Sequence, residues 1–437
     1  MAFHRDTIFA LSSGHGRAGV AVVRVSGSQA AACVRALTQS DLPVARVASL
    51  RQLSDGDGNP IDQALVLWFP APGSFTGEDS AEFQVHGGRA IVEAVLAALA
   101  RVDGCRPAEP GEFTRRAVEN GKLDLTGAEA LADLINAETE AQRKQALRQY
   151  GGALFELYDG WRSRLIRAAA WAEAAIDFAD EDIPAEIVAN ALAQATEIAD
   201  EISLHLNDAR RGEILRGGFY LTVIGPPNSG KSSLINALAK RDVAIVSDTP
   251  GTTRDVLEVR LDLGGYPVIV ADTAGLREAG DAIEAEGVRR AKARAADADA
   301  VLLLLDASGK HSQFAHNLDV EPMLIAWNKC DIALPPHGTS GLRLSVRTGD
   351  GIDQLVHRIQ ALVAERLHSK EPPVTRQRHR LHLQKAEAAL RRSGVQQELE
   401  LVAEELRVAL RELGRLTGRV DVEELLDVVF RDFCIGK

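Results

Sequence analysis

A chain of 437 residues is too long for one hydrophobic core of ordinary size, and the length alone suggests about three domains. Composition is globular, 46% hydrophobic and 26% charged, and a formal net charge of −12 excludes a molecule coated in positive potential for nucleic acid. It leaves room for a local basic patch, or for a nucleic acid held by a partner.

Four cysteines, Cys33, Cys105, Cys330 and Cys434, lie far apart in the chain with no CxxC and no metal-ligand spacing. That is the usage of a reducing compartment. The apolar run from Val20 to Val23 is too short for a signal-peptide core, and Val301 to Leu305, the longest aliphatic run, cannot span a bilayer. The last four residues superficially match a prenylation box, but Gly436 and Lys437 suit it poorly and no polybasic stretch precedes Cys434. A soluble, cytoplasmic protein without membrane attachment is expected.

In chain order, residues 1 to about 120 read as α+β, with strands at Val20 to Val25 and Ala64 to Phe69, a helix at Arg89 to Ala100, and turns at residues 56–60 and 71–73. From Leu123 the texture becomes helical. Thr126-Gly-Ala-Glu129 reads as a capping-box start, and further helical patterns run from Leu154 to Phe178 and from Ile187 to Leu215. The acidic stretch Asp177 to Asp182 between them is either a cation site or a solvated loop.

Residues 217–377 hold an α/β domain, expected as a doubly wound, mostly parallel sheet. Val256 to Leu263 and Val268 to Ala271 flank Gly264-Gly265-Tyr266 as a β-hairpin, and strands at Ala300 to Asp306, Met323 to Asn328 and Leu342 to Ser345 alternate with helices. Long helices return at Leu381 to Leu416 and Asp421 to Phe430. One helical block (121–216 and 378–437) interrupted by an α/β insert explains this order. Arg376-Gln-Arg378-His-Arg380 at the junction is either a tRNA contact or the solvated start of a helix.

The chemistry begins at Leu221 to Ala239. A β-branched run breaks at Gly225, and G-x-x-x-x-G-K-S follows, ending on Gly230, Lys231 and Ser232 before an apolar helical pattern. The glycines let backbone N–H groups curl around phosphate oxygens, Lys231 reaches the β- and γ-phosphates, and the Ser232 hydroxyl suits magnesium. Asp272-Thr273-Ala274-Gly275 follows an apolar strand, as a second magnesium-side motif must. Gly251-Thr252-Thr253-Arg254-Asp255 lies between them, where a loop would place a Thr hydroxyl on magnesium. Asn328-Lys329-Cys330-Asp331 ends a later strand, and a buried Asp331 carboxylate accepts two hydrogen bonds from guanine that adenine cannot offer. The four motifs in this order point to GTP. Leu276 stands where many small GTPases carry a water-orienting glutamine, so hydrolysis must be organised differently.

With these residues, the chain resembles the bacterial tRNA-modification GTPase family MnmE (also called TrmE). The likeness covers essentially the whole chain. It is carried by Ser74-Phe-Thr-Gly-Glu78-Asp79, His86-Gly-Gly88, Gly111-Glu-Phe-Thr114, Asn120-Gly-Lys-Leu-Asp124, the Gly251 and Asp272 motifs, and Phe433-Cys-Ile-Gly-Lys437. The resemblance implies an N-terminal domain (1–120) that binds a tetrahydrofolate, as the 5,10-methylene or 5-formyl form, and joins a homodimer. It also implies an FAD-containing partner, GidA (MnmG), in a heterotetramer. Together they would add an aminomethyl or carboxymethylaminomethyl group to C5 of the tRNA wobble uridine, with GTP hydrolysis activated by potassium.

Carried over residue by residue, the folate contacts fall on Arg24, Glu82, Lys122 and Lys437. Potassium falls on Asn228, Ser247, Thr249 and Thr252, and magnesium on Ser232 and Thr253. Further nucleotide contacts fall on Ser229, Ser233, Asp248, Pro250, Asn328, Lys329 and Ser345. Glu284 would orient the attacking water in place of the missing glutamine. Cys434 is carried over as a functional thiol, with an ordinary buried cysteine as its alternative. Ser345-Val346 departs from the commoner Ser-Ala, a change that a backbone N–H contact to guanine tolerates, and Pro250 stiffens the potassium loop. Two other classes remain open: a GTP-gated RNA-binding or ribosome-assembly factor without modification chemistry, and a folate-binding scaffold with a vestigial switch.

Overall fold

The computed structural model describes residues 6–14, 16–177, 185–241, 243–245, 258–272, 298–309, 322–368, 372–420, 426 and 436. The chain divides into two compact units, one of Met1–Ala132, Tyr150–Ser163 and Leu410–Lys437, the other of Asp133–Gln149 and Arg164–Ala409.

The first unit opens with β1 (Thr7–Leu11), β2 (Ala18–Ser26), α1 (Ala30–Thr38), β3 (Ser49–Ser54), β4 (Pro60–Phe69), β5 (Ser80–Gly87), α2 (Arg89–Ala100), β6 (Cys105–Pro107) and α3 (Glu112–Glu119). Its six strands run in the order β3-β4-β5-β2-β1-β6, with β6 parallel to β1 and the other pairs antiparallel. Alternation does the sorting. Ala21, Val23 and Val25 of β2 and Ala81, Phe83 and Val85 of β5 face a core shared with Val34, Leu37, Val95 and Leu99 of the two helices. Arg24 and Glu82, the intervening residues, are therefore thrown onto the opposite face and are direct cross-strand partners.

The signature residues around this face build structure. Arg116 is 1% exposed, and its guanidinium donates to Glu112 Oε1 at 2.9 Å, Glu78 Oε2 at 3.2 Å and the Asp6 carbonyl at 3.0 Å. Glu112 also accepts from Arg106 Nη2 at 2.6 Å, and Glu78 from the Ser26 hydroxyl at 2.7 Å. Burial alone would raise the Glu112 carboxyl. The Arg106 hydrogen bond, the Glu109 N–H and Arg116 outweigh it and hold the group below the usual carboxylate range. Cys33 and Cys105, 72 positions apart, come to 3.3 Å between sulfurs, so their separation in the chain misleads. Burial, then the neighbouring Cys105, pushes the Cys33 thiol upward, which makes it a poor nucleophile.

The helices that follow are α4 (Leu125–Ile135), α5 (Glu140–Tyr150), α6 (Ala153–Asp177), α7 (Ala185–Leu206) and α8 (Arg211–Gly217). Helix α4 corrects the expected cap. Asp124, not Thr126, closes it, its Oδ1 accepting from the N–H groups of Thr126 at 2.8 Å and Gly127 at 3.0 Å. The pattern expected from Ile187 to Leu215 is also interrupted, with Ala209 and Arg210 at φ 50 and 58. Asp208 holds that break by accepting from the Arg210 N–H at 2.9 Å and from Arg380 at 2.7 Å.

The second unit continues with β7 (Phe219–Ile224), α9 (Lys231–Ala239), β8 (Glu258–Leu263), β9 (Tyr266–Asp272), β10 (Ala300–Asp306), β11 (Leu324–Asn328), β12 (Leu342–Arg343), α10 (Ile352–Leu367), α11 (Gln377–Ser393) and α12 (Leu399–Thr417). Strand order is β12-β11-β10-β7-β9-β8, parallel except for β8, which pairs antiparallel with β9 through the Gly264-Gly265 turn. Both turn glycines have positive φ, 66 and 88, as a two-residue hairpin of this type demands. The chain order reverses direction about β7, so β7 and β10 diverge at their carboxyl ends and leave a crevice there. The helix expected from Leu381 to Leu416 is two, parted at Gly394 to Glu398.

Helix α7 packs against α11, so helices before and after the inserted sheet meet. The arginine cluster at this junction is neither solvated nor free for nucleic acid at its ends. Arg376 pairs with Asp133 at 2.8 Å, and Arg380 with Asp208 at 2.7 Å and Glu213 at 3.2 Å. Residues 178–182 of the acidic stretch, and the expected helix from Asp421 to Phe430 apart from helical Leu426, lie outside the described residues. Among the described residues, no helix is long and apolar enough to cross a membrane.

Removing Arg116 leaves two carboxylates without their shared cation. Arg116→Ala is expected to cost about 3–5 kcal/mol. Hydrogen exchange read by mass spectrometry should show faster exchange across β1, β2 and β5, and unchanged protection there would refute the role.

Candidate functional site

The crevice at the carboxyl ends of β7 and β10 is a cleft of about 790 Å³, lined by Pro227, Asn228, Gly230 to Ser233, Asn328, Lys329, Asp331, Ile332 and Ser345 to Arg347. Its floor is the loop from Gly225 to Gly230. A Cβ on Gly225 would sit 2.1 Å from the Leu304 carbonyl oxygen of β10, and one on Gly230 would sit 2.3 Å from Asn328 Nδ2. Both positions require glycine, and Gly230 at φ 99 starts helix α9. Asn228 adopts the left-handed region at φ 61, which asparagine tolerates better than most residues. Lys231 is 8% exposed, and its ammonium donates at 2.9 Å to the carbonyls of both Gly225 and Pro226. Charge is thus concentrated at the N-terminus of helix α9, the end that favours an anion.

Asn328 joins this loop to the far wall. Its Nδ2 donates to the Ser229 carbonyl at 2.8 Å, and its Oδ1 accepts from the Val346 N–H at 3.0 Å. The residue is 3% exposed, so the amide is a buried strap between the phosphate cradle and the loop after β12. Lys329, at φ 63, sends its ammonium to Asp306 Oδ2 at 2.5 Å. Burial alone would raise the Asp306 carboxyl, but Lys329 and Ser308 hold it below its ordinary range. The Asp331 side chain is 12% exposed and lies 3.2 Å from Arg347 Nε.

The cleft therefore gathers Asn228, Gly230, Lys231, Ser232, Ser233, Asn328, Lys329, Asp331 and Ser345. Ser229 is buried beneath them, with its carbonyl on Asn328. Ser247 to Thr253, Thr273 to Gly275, Glu284, Cys434 and Lys437 lie outside the described residues. Asp272 is described only as the last residue of β9. Asp306 escaped the sequence reading as a residue of the cleft. Asp306 could have been found, because it ends a strand in register with Asn328. Among the described residues, no group of three or more His, Cys, Asp or Glu could hold a metal ion.

In the first unit, Arg24 Nε and Nη2 donate to one oxygen of Glu82 at 3.0 and 2.9 Å, leaving the other carboxylate oxygen outside the pair. The guanidinium stands 5.5 Å from the Phe75 ring centroid and 5.8 Å from that of Phe113. Lys122 Nζ donates to the Pro72 carbonyl at 2.9 Å. Gly436, at φ 98, accepts from the Ser12 hydroxyl at 2.8 Å, and a Cβ there would meet the Leu11 carbonyl at 2.2 Å. Gly436 thereby lies beside the end of β1, whose Ala10 is the register partner of Arg24.

The "MnmE helical domain" family model matches residues 125–434, more than half of the chain, and the "GTP-binding protein TrmE N-terminus" model matches residues 7–122. The chain belongs to the MnmE (TrmE) family. The tRNA modification GTPase MnmE of Parvibaculum lavamentivorans is 54% identical over 99% of this chain and 100% of its own length. A 5-taurinomethyluridine tRNA synthase subunit, the mitochondrial GTPB3 of Homo sapiens, is 50% identical over 99% of this chain and 93% of its own. Among solved structures, the G domain of the T. maritima FeoB iron transporter covers 34% of this chain and 99% of its own, at 24% identity and a TM-score of 0.25. The protein is a GTP hydrolase of tRNA modification, as MnmE-family membership requires.

Asn328→Ala deletes two buried hydrogen bonds without touching Lys231 or Asp331. Guanine-nucleotide affinity is expected to fall roughly 10- to 100-fold, measured by equilibrium titration with a fluorescent GDP analogue. Wild-type affinity would show that the strap does not organise the cleft.

Proposed function

We propose that this protein is a potassium-activated GTPase that works with an FAD-containing partner of the GidA (MnmG) type. Together they install an aminomethyl or carboxymethylaminomethyl group at C5 of the tRNA wobble uridine, from a tetrahydrofolate one-carbon unit. The observation that carries the reading is a full-length match to tRNA modification GTPases in a chain whose cleft retains the phosphate lysine and a guanine-facing carboxylate.

GTP occupies the cleft with its phosphates over Gly230 to Ser233 and its base against Asp331, whose carboxylate accepts from the guanine N1–H and 2-amino groups. Asn328 and the Lys329 stem frame the base, and a backbone N–H at Ser345-Val346 faces its O6 oxygen. Lys231 exchanges its loop carbonyls for phosphate oxygens. Ser232 and Thr253 would hold magnesium, while Asn228, with Ser247, Thr249 and Thr252, would hold potassium. An oxygen-rich set of hydroxyls, carbonyls and an amide suits these hard cations. The cations would supply neutralisation of the charge that develops as GTP and water become GDP and phosphate. Glu284 holds the attacking water, in place of the glutamine that Leu276 displaces.

Tetrahydrofolate would be held on the Arg24–Glu82 face of the first sheet. Glu82 would accept from ring N–H groups, and Arg24, Lys122 and Lys437 would suit the anionic glutamate tail. The partly buried Phe75 ring beside Arg24, and Gly436 held by Ser12 one residue before Lys437, support this placement. A homodimer through the N-terminal domain (1–120) is supported by exposed apolar residues at the β3 edge. Leu50 and Leu65 are cross-strand partners, 65% and 40% exposed, with Val47 nearby at 49%. Within this reading the domains run 1–120, 121–216 with 378–437, and 217–377, Cys434 is a functional thiol, and the enzyme acts on tRNA in the cytoplasm.

GTP hydrolysis should be at least tenfold faster in potassium than in sodium at equal ionic strength. Asn228→Ala should abolish that difference while changing GTP affinity less than threefold. Equal rates in the two salts for the wild type would overturn the potassium assignment.

A further inference from the structure

Cys33 and Cys105 form a pair that neither the nucleotide chemistry nor the Arg24–Glu82 face uses. Both are free thiols, and their sulfurs stand 3.3 Å apart in the first unit. Cys33 sits on α1 at 0% exposure, inside the core shared by the sheet and its two helices. Cys105 opens β6 and is half-buried, packed against that core. A disulfide holds its sulfurs about 2.05 Å apart, so closure calls for a movement of roughly 1.2 Å.

Strand β6 can supply that movement. It is the edge of its sheet and meets β1 at three register positions, with Thr7, Ile8 and Phe9 against Cys105, Arg106 and Pro107. An edge strand has one side free of any ladder, so it yields more readily than a central strand.

The two thiols are suited to different roles. The thiolate, not the thiol, is the nucleophile in disulfide exchange. Burial raises both thiols, but the hydrogen bond from Cys33 acts on Cys105 in the opposite direction. Cys105 is therefore the easier of the two to ionise and, being half-buried, the one that an outside reagent meets. Cys33 is closed to such a reagent and reacts only with a sulfur already beside it.

We propose that Cys33 and Cys105 are a redox modification site, forming a reversible disulfide by exchange with a low-molecular-weight disulfide such as oxidised glutathione. The Cys105 thiolate attacks one glutathione sulfur, breaks the S–S bond and releases a first glutathione. The Cys33 sulfur then attacks the Cys105 sulfur of the mixed disulfide and releases a second. Two cysteine thiols are oxidised, one glutathione disulfide is reduced, and the two thiol protons leave on the two glutathiones. In a reducing compartment the pair rests as thiols, so the bond marks a shift toward oxidising conditions. The product ties α1 to the edge strand whose Arg106 holds Asp6 and Glu112.

The test incubates the full chain with oxidised glutathione at mildly alkaline pH, then traps remaining thiols with an alkylating reagent in denaturant. Mass spectrometry of the unreduced peptides is expected to find Cys33 joined to Cys105, with the loss of two hydrogens. A thiol reductant added before trapping should restore both thiols. In Cys33→Ser the mixed disulfide on Cys105 should accumulate, whereas in Cys105→Ser the Cys33 thiol should gain no glutathione. Glutathione retained on Cys105 beside a free Cys33 in the wild type would overturn the proposal. So would a cross-link to Cys434 instead, or no reaction at either cysteine. Glutathione on Cys33 in Cys105→Ser would overturn the assigned order. The wild-type measurement decides the pairing even where a serine variant fails to fold.

Discussion

The nucleotide cleft depends on one buried amide. Asn328 ends β11 and reaches both the Ser229 carbonyl and the Val346 N–H, so three separate segments are held at hydrogen-bond distance by a single side chain. The glycine loop cannot relax away from the segment after β12 without leaving a buried donor or acceptor unpaired. The glycines on either side of the loop add a steric limit, because Gly225 touches β10 and Gly230 touches Asn328 itself. Close backbone approach and a polar strap thus make the same geometry the only one without a clash or an orphaned group.

A comparable logic governs the first unit, with charge in place of an amide. Arg116 gathers carboxylates from α3 and from the loop before β5, and the hydroxyl of Ser26 joins them. This network braces one side of the face on which Arg24 and Glu82 stand. The two halves differ in what they can bind. The cleft of the second unit presents a glycine loop and an ammonium, while the first unit presents a carboxylate paired with a guanidinium beside the Phe75 ring.

Local patterns with a backbone requirement were legible in the sequence. The strand, glycine loop and helix around Lys231 fold as β7, cradle and α9, and Gly264-Gly265 turns the hairpin. What stayed hidden was set by distant partners. Thr126 and Asp124 are both good caps, and only the fold shows which side chain meets the first N–H groups of α4. The break after α7 is held by Asp208 and Arg380, more than 150 positions apart, so no window of helical periodicity could contain it. The same holds for Cys33 and Cys105, and for Arg376, whose partner Asp133 lies in another helix. Arg116 is the extreme case, a fully buried arginine that composition alone would place on the surface.

The central claim is that nucleotide turnover in this cleft serves modification of the wobble uridine. Its most direct test is mass spectrometry of tRNA nucleosides from cells lacking the gene, complemented with the wild-type chain or with Lys231→Ala. The account predicts loss of the C5 aminomethyl-type modification on deletion, restoration by the wild type, and none by Lys231→Ala. An unchanged wobble uridine in the deleted cells would contradict it.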